Sequence, residues 1–117
     1  MAVSYNTVID QGADWEFIVT YENPAGTPVV ITDYTARLQL RSPISSATAV
    51  LSLTTGGGGI TIAGLTGVVT CKATNAQTAL IDDGTYFYDL EIASPVATPI
   101  VTRLVQGQIV VSAEVTR

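Results

Sequence analysis

The chain has 117 residues, of which 47% are apolar and only 13% charged, and its formal net charge is −5. This length and composition favour one folded domain over residues 1–117 and exclude a disordered chain. The acidic balance argues against a nucleic-acid partner, because binding a duplex requires cations against its phosphates. No apolar run approaches the roughly 18 residues that span a bilayer, and the N-terminus lacks the basic and apolar regions of a signal peptide. We therefore expect no membrane partner and a chain that stays in the cytoplasm until assembly or lysis.

The first half of the chain shows short strands separated by turn signals. The clearest runs over residues 15–21, where every second residue from Trp15 is large and apolar, which is typical of a half-buried strand. The sequence Asn-Pro-Ala-Gly at 23–26 predicts a turn that returns the chain into a strand at 29–31. Further strands are predicted at 3–9, 35–41 and 49–53, with Pro43 ending the second of these and residues 44–46 in a loop.

The second half continues the same pattern around one helical turn. Four glycines, Gly56–Gly59, predict a flexible hairpin tip, because glycine favours no single backbone shape. Thr74 or Asn75 can cap a helix of one or two turns that ends before residue 82. Gly107 predicts a bulge or bend in the last strand pair. Strands are predicted at 60–62, 69–73 and 84–93, and the last two segments, 100–105 and 108–115, form either a strand pair or one long bent strand.

The strand at 84–93 is the one against which we expect the others to pair. Tyr86, Tyr88, Leu90 and Ile92 alternate with polar residues and therefore share the predicted core face. The whole chain reads as eight or nine short strands with turns between them and one short helical turn. This pattern predicts an all-β, immunoglobulin-like antiparallel β-sandwich, with an antiparallel barrel as the alternative.

The residue types argue against an enzyme. The chain has no histidine, which removes the commonest general base and metal ligand. The single cysteine, Cys71, shares a face with Val69 and is interpreted as a small buried hydrophobe. Asp82 and Asp83, with Asp89 or Glu91, could bind calcium, but the simpler interpretation is a turn followed by an exposed strand face. We predict no catalytic residue, no metal and no cofactor.

Two features favour a surface that docks another protein. Arg37, Gln39 and Arg41 alternate along one predicted strand and therefore lie on one face, within reach of acidic cross-strand residues such as Glu91 or Asp89. They form either a salt-bridged solvent face or a polar docking face. Phe87 points away from Tyr86 and Tyr88, so either a second layer covers it or it lies at an interface. The candidate docking residues are Arg37, Gln39, Arg41 and Phe87.

Several short blocks of the sequence resemble a known group of proteins. They are Gln11-Gly12 and the segments DYTARLQLR at 33–41, GTYFYDLE at 84–91 and RLVQGQIVV at 103–111. In this order they are similar to small structural proteins of tailed bacteriophages, in particular the immunoglobulin-like N-terminal adaptor domain of phage baseplate upper proteins. Asp33 stands where that pattern commonly has glycine.

The resemblance implies a structural component of a tailed-phage virion, assembled in the host cytoplasm. It would act as a tail, baseplate or neck adaptor or accessory protein, with other phage structural proteins, and also copies of itself, as its expected partners. The alternatives are a capsid decoration protein and a free carbohydrate-binding module that uses Trp15, Tyr21 and Phe87. We expect docking at two free strand edges, 3–9 and 108–115, and removal of residues 1–9 is expected to leave the fold intact.

Overall fold

Two β-sheets packed on each other contain most of the chain in the computed structural model, which describes residues 3–42 and 48–115. The predicted all-β sandwich with one short helix is confirmed; the Pro43 strand end and the loop at 44–46 lie outside the described residues. The larger sheet has six strands: β1 (Val3–Ser4), β2 (Thr7–Asp10), β4 (Thr35–Arg41), β5 (Leu51–Thr54), β8 (Gly84–Ala93) and β9 (Val101–Ser112). The smaller has three strands, β3 (Trp15–Thr20), β6 (Ile60–Ala63) and β7 (Val68–Ala73), and the helix α1 (Asn75–Ala79) follows β7.

The strand at 84–93 is the centre of the larger sheet, as predicted. In the strand order β1-β9-β8-β4-β5, β8 pairs antiparallel with β4 and with β9 over almost its full length. Its alternate side chains are buried. So are alternate side chains of β4, beside it in the same sheet, and of β7 in the smaller sheet. The most deeply buried apolar residues are Ile9, Ile31, Leu38, Leu40, Leu53, Val69, Cys71, Leu90, Ile92, Ile109 and Val111.

The N-terminal segment departs from the prediction of a wholly antiparallel sandwich. β1 and β2 both pair in parallel with β9, so β9 is not the free edge that was expected at 108–115. Ile9 is fully buried, and the Tyr88 hydroxyl donates a 2.7 Å hydrogen bond to the carbonyl oxygen of Tyr5. Residues 3–9 therefore supply core and cover β9, which contradicts the expectation that residues 1–9 can be removed without loss of the fold.

The bulge in the last strand lies at Leu104 and not at Gly107. Leu90 is opposite Val105 while Glu91 is opposite Arg103, so Leu104 is the extra residue, and both Leu104 and Val105 are buried. Gly107 has a different role, because a Cβ there would overlap the carbonyl of Tyr5 and lie 2.8 Å from Asn6 Oδ1. Glycine at 107 permits the N-terminal segment to approach the sheet closely.

The glycine segment changes sheets and does not form a hairpin tip. Gly56–Gly59 connects β5 in the larger sheet to β6 in the smaller one. Two reciprocal hydrogen bonds close this turn, from Thr54 N to Gly58 O (3.0 Å) and from Gly58 N to Thr54 O (2.9 Å). Gly58 and Gly59 have φ values of 105° and 98°, which glycine adopts most easily.

Residues 29–31 do not form the predicted strand, although the chain does return there. Val29 N donates to Tyr21 O (2.9 Å) and Ile31 N donates to Gly64 O (2.8 Å), which ties the segment to two different loops. Ile31 is fully buried. Single backbone bonds to separate partners hold the segment in place without a continuous ladder.

The helix is anchored by a buried threonine. Of the two cap residues that the sequence offered, Thr74 is the N-cap, and it forms a capping box with Gln77. Thr78 is fully buried; its Oγ1 donates to Ala13 O (2.9 Å) and accepts from Gly12 N (3.1 Å). One side chain therefore joins α1 to the turn that precedes β3.

Replacing Thr78 by Val is expected to lower the free energy of unfolding by about 2 kcal/mol, because this buried side chain loses the hydroxyl that makes two part-buried hydrogen bonds, to the Ala13 carbonyl and from the Gly12 amide. The measurement is urea unfolding. The matched control is Thr61→Val on the exposed side of β6, which should change stability by less than about 0.5 kcal/mol. Equal stabilities of the two variants would contradict this role of Thr78.

Candidate docking face

The larger sheet has one face against the smaller sheet and one face turned outward. On β4 the core takes Ala36, Leu38 and Leu40, so the intervening residues point outward by strand alternation. Strand pairing brings them beside outward residues of β8 and β9. We call this surface the outer face; its central residues are Arg37, Gln39, Arg41, Phe87, Asp89, Glu91, Arg103, Gln106 and Gln108.

Ion pairs cross the outer face from β4 to β9. Arg37 Nη2 and Nε both lie 2.9 Å from Glu91 Oε1. Arg103 Nε lies 3.3 Å from Asp89 Oδ2 and 3.9 Å from Glu91 Oε2. The predicted cross-strand pairing of arginine with Glu91 is therefore confirmed. Exposed pairs of this kind contribute little to stability, but they hold the side chains in defined positions.

Arg41 and Phe87 lie next to each other at the end of this network. They are direct cross-strand neighbours, and Gln108 is opposite Phe87 on the other side. Arg41 Nη2 donates a 2.8 Å hydrogen bond to Gln39 Oε1. Phe87 is half-buried on the outer face, with no second layer of described residues over it. The four residues predicted as docking residues therefore share one surface.

A short apolar strip extends the outer face beyond Phe87. Val8 and Val110 are paired neighbours on β2 and β9, and they are 51% and 43% exposed. Thr85 pairs with Val110 on its other side and precedes Phe87 by two residues on β8. The face therefore combines an apolar end with a region rich in arginine and amide groups.

The charge of the outer face is opposite to that of the chain. Arg37, Arg41 and Arg103 are three of only five basic residues in a chain of net charge −5. The central residues of the outer face include only two carboxylates, Asp89 and Glu91, to balance these three positive charges. The basic residues are thus concentrated on one surface, and the excess of acidic residues lies elsewhere.

The pKa of Asp89 is raised, first by its partial burial and second by the nearby Glu91 carboxylate. Arg103, Arg37 and Arg41 lower it, but by less. An acid whose pKa is raised by folding stabilises the fold while protonated, and this contribution is lost as the pH rises through that pKa. Asp89→Asn is therefore expected to be slightly more stable than the natural chain at pH 7, with the difference vanishing below the ordinary aspartate pKa of 3.8.

Thermal unfolding of both chains from pH 3 to pH 7 measures this difference. Gln108→Asn, an exposed and uncharged residue of the same face, is the control and should show no such trend, because neither amide side chain titrates in this range. A natural chain that gains stability over Asp89→Asn as the pH rises would contradict the assigned cause.

The other residues considered for chemistry or ligand binding, which are Cys71, Asp82, Asp83 and Trp15, lie in the core or in a turn. Burial raises the pKa of the Cys71 thiol to about 12, which removes its nucleophilic form at neutral pH. Asp82 and Asp83 lie in the turn before β8, away from Asp89 and Glu91, and the described residues contain no group of three or more acidic or sulfur ligands that could hold a metal ion. Trp15 is buried and stacks on Phe17 with ring centroids 5.7 Å apart, so it is not available to a sugar.

Arg103 and Gln106 belong to the outer face but were not identified from the sequence. Strict alternation places residues 103 and 106 on opposite faces of a strand. The bulge at Leu104 resets the alternation, so both point outward, and Arg103 Nη1 donates to Gln106 Oε1 (2.9 Å). Nothing in the order of residues marks Leu104 as the bulge.

The sequence matches no protein-family model and no curated protein. Within the described parts of the chain, no helix has the length and apolar character needed to cross a membrane.

Proposed function

We propose that this protein is a structural component of a tailed-bacteriophage virion that acts by docking other virion proteins on its outer face. The observation that supports docking is the outer face itself, where arginines in fixed positions lie beside a half-buried phenylalanine. The phage context is supported by the resemblance of residues 33–41, 84–91 and 103–111 to tail adaptor domains.

The composition of the outer face is that of a protein interface. Arginine and aromatic residues supply much of the binding energy in such interfaces, and polar groups around them fix the orientation of the partner. Arg37 and Arg103 are already held by Glu91 and Asp89, so they lose little side-chain freedom when a partner binds. Phe87, Val8 and Val110 offer the apolar area that this partner would cover.

A tail, baseplate or neck adaptor is the position that the resemblance favours. A capsid decoration protein would use the same kind of face, but in copies comparable with the major capsid protein. The copy number per particle therefore separates the two positions.

The test is incorporation of variants into particles. Arg41→Glu combined with Phe87→Ser should reduce incorporation at least about tenfold, because it removes the apolar contact and reverses the charge beside it on the outer face. Lys72→Glu on the smaller sheet is the matched control and should be incorporated normally, since its exposed side chain lies outside the outer face. Circular dichroism verifies that both variants are folded. Normal incorporation of the folded double variant would refute docking through this face.

A further inference from the structure

The smaller sheet has a free edge at β3. β3 pairs with β7 on one side, and the strand order β3-β7-β6 leaves its other side open. With six residues in continuous register it is the longest edge strand of the described chain; β1, β2, β5 and β6 have two to four residues. β3 contains no proline, lysine or bulge, which are the usual protections of an exposed edge.

The backbone groups on the open side can be assigned from the pairing with β7. Tyr21 follows β3 in register and its N–H donates to Gly67 O (2.7 Å), so Tyr21 is directed toward β7. Since hydrogen bonding alternates along an antiparallel pair, Phe17 and Val19 are directed toward β7 as well. The N–H and C=O groups of Glu16, Ile18 and Thr20 therefore point to the open side, beside a groove lined by Val3, Tyr5 and Leu104.

We infer that β3 pairs antiparallel with β3 of a second copy of this chain, about a two-fold axis at Ile18. The three outward residues are symmetric about Ile18, so this register opposes Ile18 to Ile18 and Glu16 to Thr20 of the second copy. Each of the three pairs exchanges two hydrogen bonds, and the outward groups of both edges are satisfied together. The two smaller sheets become one continuous sheet across the dimer.

The exposed apolar side chain at the axis favours a second copy in this register. Ile18 is 57% exposed, and the two-fold axis packs it against its own counterpart. Glu16 is opposite an uncharged threonine. A register centred on Val19 would instead place Ile18 opposite Thr20, and one centred on Phe17 would place Ile18 opposite Glu16, so the register centred on Ile18 is the one that packs this side chain on its counterpart.

The same register opposes Asp14 to Glu22 of the second copy at each end of the strand pair. Like charges at this position repel, and salt screens them. The dimer is therefore expected to be tighter at high than at low ionic strength, in contrast to an association held by ion pairs on the outer face.

Sedimentation equilibrium of the whole chain, over a range of concentrations, tests the dimer. Ile18→Pro removes a central outward N–H without breaking a bond to β7, and Ile18→Lys places two like charges at the axis. Both should raise the dimer dissociation constant at least about tenfold. Ile100→Lys, at an apolar residue 71% exposed in the loop before β9, is the matched control and should dimerise as the natural chain does.

Amide hydrogen exchange measured by NMR gives a residue-specific readout. Protection of the Glu16, Ile18 and Thr20 amides should increase with protein concentration, while Phe17 and Val19 stay protected at all concentrations. A chain that is monomeric throughout, or a dimer that persists unchanged in Ile18→Pro and Ile18→Lys, would overturn the inference. Neither result bears on docking through the outer face, because β3 lies in the other sheet.

Discussion

A chain that begins at Asp10 is expected to lose at least about 4 kcal/mol of its free energy of unfolding. The deletion removes Ile9, which is fully buried, and Tyr5, whose ring stacks on Phe17 with centroids 5.7 Å apart. It also removes the acceptor of the Tyr88 hydroxyl and turns β9 into a free edge. Since a domain of this size is stable by only about 5–15 kcal/mol, the truncated chain should be close to unfolding.

Urea unfolding followed by the fluorescence of Trp15 measures this loss. Trp15 is buried beside Phe17, so its emission reports the sandwich interior. The control is Val3→Ser, which changes an N-terminal residue that is 64% exposed and should alter stability by less than about 0.5 kcal/mol. Equal unfolding midpoints for the truncated and the natural chain would show that residues 1–9 are not part of the fold.

Replacing Gly107 by Ala is expected to lower the free energy of unfolding by about 2–3 kcal/mol, because it displaces the same N-terminal segment. The added methyl group would overlap the Tyr5 carbonyl, which is backbone and cannot rotate away. The N-terminal segment must then move off β9, which weakens the hydrogen bonds from Tyr5 N to Gln106 O (2.9 Å) and from Gln108 N to Asn6 Oδ1 (3.0 Å).

The matched control for Gly107 is Gly56→Ala. A Cβ at Gly56 meets no atom within 4 Å, so this change should be close to neutral. Besides the unfolding midpoint, the exchange rate of the Tyr5 amide should rise in Gly107→Ala and stay unchanged in Gly56→Ala. A Gly107→Ala chain with a natural Tyr5 exchange rate would contradict the assigned role of this glycine.

The sequence predicted the parts of the fold that depend on local alternation. Alternation predicted the burial of Tyr86, Tyr88, Leu90 and Ile92. Residue type, which is equally local, predicted a helix cap at Thr74 or Asn75, and Thr74 is the cap. Pairing between segments that are distant in the chain could not be predicted from the sequence. Nothing in residues 3–10 distinguishes a parallel from an antiparallel partner, and an apolar pair such as Leu104-Val105 carries no mark of a bulge.

The outer face was predicted only in part for the same reason. Arg37, Gln39 and Arg41 lie on one regular strand, so alternation places them together, and Phe87 is opposite Arg41 in the observed register. Arg103 joins them through a bulge, and Val8 through a parallel pair. Both depend on long-range geometry that a single sequence does not contain.

The free edge at β3 was missed because an edge is a property of the assembled sheet. The alternation in residues 15–21 is equally compatible with a central or an edge strand. Residues 108–115 were expected to be an edge and are covered by β2 over 109–112, which made β3 the longest regular edge of the described chain.

Under the proposal a tailed phage encodes this chain, and quantitative mass spectrometry of purified particles of that phage tests the proposal most directly. The proposal predicts that the chain is present at a fixed, small multiple of three or six copies per particle, as expected for a symmetric position at the tail, neck or baseplate. Copies comparable with the major capsid protein would instead identify a decoration protein of the shell. Absence of the chain from intact particles would contradict a structural role in the virion.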